Sequence, residues 1–133
     1  MQLDFAFLCD YADAGNKINA LGIGFDTIFA KEAPAMHPLF FVVVQLRASA
    51  VETGNQPFTL HLIDADGVNI MDPIQASLNI APPPAGVREN IARLAIRLNN
   101  INFPKFSDYA VRVLIQGREV ASLPIRVAKT PPQ

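Results

Sequence analysis

The segment Leu39–Val51 constrains the fold more than any other part of the chain. Its even positions Phe40, Val42, Val44, Leu46, Ala48 and Ala50 are all apolar, a period of two that only an extended strand converts into one buried face. On the odd positions Leu39, Phe41 and Val43 give way to Gln45, Arg47 and Ser49. One end of this strand therefore needs cover on both faces, and the other end is wet on one.

The same alternation recurs along the chain, punctuated by turn residues. Leu3 to Tyr11 alternates, with Leu3, Phe5, Phe7, Cys9 and Tyr11 on the expected inner face. Lys17–Leu21 returns after Ala14-Gly15-Asn16, and Gly22-Ile23-Gly24 marks a bend before Phe25–Ile28. The prolines at 34 and 38 predict a crossing loop ahead of the long strand. Phe58, Leu60 and Leu62 form an inner row, as do Ala76, Leu78 and Ile80, and Ala92, Leu94, Ile96 and Leu98. Asn99–Phe106 reads as a loop, and a hairpin over Gln116–Glu119 joins the rows Tyr109–Ile115 and Ala121–Val127. Pro57 and Pro124 point to edge strands.

About eight or nine strands with frequent turns and no long helical pattern read as all-β. The expected architecture is a single antiparallel β-sandwich of Ig-like, Greek-key type over residues 1–128, with 129–133 a short flexible tail. A β-barrel is the alternative, and the two strand prolines favour open edges over closure.

Charge excludes some partners. Eleven Lys and Arg face twelve Asp and Glu, a net charge of -1 with the basic residues scattered. That leaves neither the basic stripe that neutralises nucleic-acid phosphates nor a polybasic membrane patch, so no nucleic acid and no membrane are expected as partners. With one cysteine, Cys9, no intramolecular disulfide forms. The first residues lack a basic leader, and Asp4 and Asp10 interrupt any apolar core, so the expected location is cytoplasmic.

No motif carries chemistry. Gly22-Ile23-Gly24 lacks the lysine and the following helix of a phosphate loop. Cys9, His37 and His61 have neither zinc-ligand spacing nor a placement that makes a nucleophile–base pair, and Cys9 reads as a small buried hydrophobe. Asp64 and Asp66, with Asp10, Asp13, Asp26 or Asp72, offer carboxylates for calcium, against the simpler reading that they stabilise their own turn. No residue is assigned to catalysis, to a cofactor or to a metal.

Several segments taken together resemble an uncharacterised family of small bacterial proteins, a domain of unknown function. They are Leu3-Asp4-Phe5-Ala6 with Asp10-Tyr11-Ala12, Lys17-Ile18-Asn19 running into Gly22–Ile28, Leu62–Gly67, Tyr109–Val113, and Gly117 with Leu123–Val127. The resemblance spans most of the chain and departs at Asp108, where the family has glycine. It implies a fold and no active site.

The expectation is a non-enzymatic protein-interaction or assembly module. Its basis is the doubly apolar stretch Leu39, Phe41 and Val43, covered either by the loop of Phe103 and Phe106 or by a second subunit in a homodimer. The alternatives are a small-molecule or calcium-dependent ligand binder and an enzyme of unfamiliar type.

Overall fold

The computed structural model describes residues 1–132, so Gln133 of the expected tail lies outside the described residues. Alternating apolar residues become ten strands: β1 (Gln2–Cys9), β2 (Tyr11–Ala14), β3 (Ile18–Leu21), β4 (Thr27–Ala30), β5 (Ala35–Ser49), β6 (Gly54–Ile63), β7 (Ile74–Ile80), β8 (Glu89–Phe103), β9 (Asp108–Ile115) and β10 (Arg118–Lys129). They form a three-stranded sheet β1-β5-β8, a five-stranded sheet β4-β10-β9-β6-β7 and the hairpin β2-β3. The fold is all-β.

One expectation of strand direction is corrected. β4 runs parallel to β10, from Thr27 opposite Arg126 to Ala30 opposite Lys129. The first stretch of chain serves both large sheets, β1 in one and β4 in the other. Gly22 and Gly24, with φ of 67° and 88°, make the bend between them, a backbone region that favours glycine. The amide of Gly24 donates to the Leu8 carbonyl at 2.9 Å and ties the bend back to β1. β10 runs to Lys129, which pairs with Ala30, and the Thr130 amide donates to the Ala30 carbonyl at 2.8 Å.

Both large sheets feed one core. Phe40, Val42, Val44, Leu46 and Ala48 of β5 meet Phe58, Leu60 and Leu62 of β6 and Tyr109, Val111, Val113 and Ile115 of β9. Ala121, Ile125 and Val127 of β10 complete it. These rows match the alternation in the sequence.

The prolines mislead. β5 begins at Ala35, not after Pro38, and β8 runs on to Phe103 where a loop was expected. Pro38 lies beyond the last pair of β1, Cys9 with Phe41, so its missing N–H breaks no pairing with β1. Opposite it stands Asn100, with φ of 50°. There both strands change phase together: core positions pass from Phe40 to His37 in β5 and from Leu98 to Ile101 and Phe103 in β8. Pro57 and Pro124 sit in the interior strands β6 and β10 rather than at edges. Each lies where one flanking ladder has stopped, since β9 pairs only from Phe58 onward and β4 only from Arg126 onward.

β1 is also corrected. Leu3, Phe5 and Tyr11 are exposed, and it is Leu8, from the opposite phase, that enters the main core. At edge strand β7 Ala76 is exposed as well, while Ile80 is buried.

Tyr109, at the start of β9, fixes the chain between β8 and β9. Its hydroxyl donates to the Lys105 carbonyl at 2.7 Å and accepts from the Lys105 amide at 3.1 Å. Its ring meets Phe103 edge-on at 5.0 Å. Replacing Tyr109 by Phe keeps the ring and orphans both Lys105 groups, so a loss of about 1–2 kcal/mol is expected in urea denaturation. An unchanged midpoint would mean that this crossing does not depend on the hydroxyl.

Candidate binding surfaces

The doubly apolar end of β5 is covered by the chain itself. Cys9, Ala12, Phe41 and Val43 form a second cluster, closed by Phe7, Ile18, Ala20, Leu39 and Ala95. The lid is the hairpin β2-β3, anchored where the Asp10 amide donates to Leu21 at 3.0 Å. The expected loop is not this cover: Phe103 is buried in the main core and Phe106 is exposed. With Phe41 only 6% exposed, this face no longer calls for a second subunit.

Cys9 is buried beneath the hairpin, its thiol facing the Tyr11 carbonyl at 3.5 Å. Burial, with the charge of Asp10, pushes that thiol above its usual range. His37 packs against Phe25 and Phe40, and burial holds it below the ordinary histidine range against the opposing pull of Asp10. His61 lies half-buried on the other large sheet, its Nδ1 3.0 Å from Asn69 Oδ1. Among the described residues no hydrogen bond joins any two of these three side chains.

The acidic residues are spread in the same way. Asp64 Oδ1 accepts from the amides of Asp66 and Val68, both at 2.9 Å, which is the work of a turn carboxylate. Asp13 bonds Asn19, and Asp26 bonds Thr27. Among the described residues no three His, Cys, Asp or Glu side chains form a group able to hold a metal ion.

Two surfaces remain. The first is an apolar groove of ≈ 620 Å³ between β1 and β3, floored by Phe5 and Phe7 with rings 5.9 Å apart and nearly parallel. Tyr11, Leu21 and Ile23 rim it, with Leu21 69% and Ile23 60% exposed. The sequence placed the odd positions of β1 inside, so this surface was not foreseen.

The second surface is the open edge of β8. This strand has fifteen residues and, among the described residues, pairs only with β5. Next to its start the chain runs through Ala81-Pro82-Pro83-Pro84, tied in where Asn90 Nδ2 donates to the Ala81 carbonyl at 3.0 Å. Beyond the ladder with β5, residues 92–103 make no backbone–backbone hydrogen bond to the rest of the described chain. On the solvent face Arg93 donates to Gln45 Oε1 at 3.1 Å and Arg97 to Asn99 Oδ1 at 2.9 Å. Arg47 instead pairs with Asp4 at 2.8 Å. Bonds from Gln45 and Arg47 lower the Asp4 carboxyl below the usual range.

By its sheets and its single shared core this is an all-β domain, and among the described residues no helix is long and apolar enough to cross a membrane. The chain belongs to the family of unknown function DUF6941, whose model matches residues 4–128. Neither a curated protein nor a solved structure matches it.

The hairpin lid sets the reactivity of Cys9. Gly22, at φ 67° against the Asp10 side chain, is the hinge of that lid. A side chain there is strained by about 1–2 kcal/mol. Gly22→Ala is therefore expected to speed modification of Cys9 by a thiol reagent about tenfold and to lower the melting temperature by a few degrees, since the same strain is relieved on global unfolding. Equal rates in the two proteins would show that the thiol is reached without hairpin opening.

Proposed function

We propose that this chain is a non-enzymatic protein-binding module, an Ig-like Greek-key sandwich that accepts an extended strand of a partner along the open edge of β8. The strand orders β1-β5-β8 and β4-β10-β9-β6-β7 support the Ig-like reading, because they follow the A-B-E and A′-G-F-C-C′ arrangement of such sandwiches. Tyr109 supports it too, since its hydroxyl bonds back to the backbone four residues upstream, in the manner of a tyrosine corner. Val111, fully buried two residues on, stands where antibody domains carry the second cysteine of their disulfide. With Cys9 the sole cysteine, no disulfide forms within the chain, which suits a reducing, cytoplasmic setting.

The observation that carries the binding reading is the unpaired side of β8. Typical strands have about five or six residues, and long open edges are templates for a further strand. In a sandwich of this type a D strand pairs there. Here the connection from β7 to β8 carries Pro82, Pro83 and Pro84, which have no amide hydrogen to offer a ladder. Main-chain pairing with an incoming segment is the mode that uses such an edge.

The test is amide hydrogen exchange on the full chain with a partner recovered from native lysate and added back in pure form. Alternate amides of residues 92–103 are expected to slow at least about tenfold on binding. A partner that leaves these amides unchanged and protects another surface would overturn the edge reading.

A further inference from the structure

The charges along β8 narrow the chemistry of what it accepts, an inference that rests on the strand-binding reading above. Arg93 and Arg97 share one face of the strand, about 13 Å apart at the usual rise per residue. Each guanidinium offers five N–H donors, and the bonds they make are to the neutral amides of Gln45 and Asn99. Neither takes part in a salt bridge among the described residues, whereas the nearby Arg47 is neutralised by Asp4. The single carboxylate in their row is Glu89, at the end of the strand beside the proline-rich connection.

We infer that the incoming strand is acidic, with two carboxylate side chains four residues apart that lie opposite Arg93 and Arg97. In an antiparallel ladder, residues directly opposite bring their Cβ atoms to about 4.5–5.5 Å, within reach of an arginine–carboxylate pair. The same arithmetic disfavours a second copy. Two β8 strands pairing about Ala95 would set Arg93 against Arg97 twice, and like charges directly opposite are destabilising. In that register the arginine pair disfavours a second copy, and it favours a partner of opposite charge.

Three blocked peptides of about nine residues test this, sharing an alternating valine–threonine host with glutamate, glutamine or lysine at two positions four apart. Each is titrated into the isotope-labelled full chain, following the backbone amides by NMR. The glutamate peptide is expected to shift the β8 amides and to bind about tenfold more tightly than the glutamine peptide, with lysine weakest. Charge reversal, Arg93→Glu with Arg97→Glu, should invert that order. Arg97→Glu alone leaves the Arg93–Gln45 bond intact, and it should reduce the preference in a protein whose melting temperature is unchanged. Equal binding of all three peptides at β8 would overturn the acidic selection and keep the strand-binding reading. Shifts confined to the groove of Phe5 and Leu21, or no shifts at all, would overturn both. A dimer in sedimentation that protects the β8 amides would replace the acidic partner with a second copy.

Discussion

The ladder between β5 and β8 is the constraint on which the rest of this structure depends. It runs from Ala35 opposite Phe103 to Ser49 opposite Glu89 and joins two strands of fifteen residues each. β5 supplies the largest continuous share of the main core, and β1 is aligned on its other side. Near the Ala35 end of the ladder, Pro38 and Asn100 stand opposite one another, and both strands turn there in step. Because the change of phase occurs in both strands, the pairing stays in register while the inward-facing set switches parity. Ala35, Ile101 and Phe103 reach the same core as Phe40 and Leu98 by this means.

Burying both faces of one stretch of β5 has a cost elsewhere. Phe41 and Val43 need a lid, and β2-β3 provides it from the same chain, which places Cys9 and Ala12 in a dry second cluster. The hairpin leaves β1 through Asp10 and returns through the Gly22–Gly24 bend. Phe5 therefore ends on the floor of a groove instead of in a core. Cover for one apolar surface has left part of another exposed.

The strand rows of β5, β6, β9 and β10 could be read directly from alternation, because each buries one face against the other sheet and leaves the other wet. Alternation pointed the odd row of β1 inward, but its even row also carries Ala6 and Leu8, and where the hairpin lies decides that Leu8 enters the main core while Phe7 packs in the second cluster. Proline was a poor guide for a related reason. Pro57 and Pro124 do lack a ladder partner on one side, as the sequence led one to expect, but an interior strand also has unpaired flanks where a shorter neighbour ends. Family membership was legible in the opening and closing segments, whereas neither candidate surface was. The β8 edge depends on which strand comes to lie beside it, and the Phe5 groove depends on where β3 folds back.

What the chain by itself determined is that it is all-β, which residues build the rows of its main core, and that Cys9 is a buried thiol. These follow from side-chain periodicity and residue type, which are local properties. Only the tertiary structure decided that β4 pairs parallel to β10, that the hairpin covers Phe41, and that β8 keeps an open edge with Arg93 and Arg97 beside it. The physical reason is that backbone hydrogen bonding in a sheet is satisfied between segments distant in sequence. The identity of a strand's neighbour, or its lack of one, is therefore settled by how the whole chain packs.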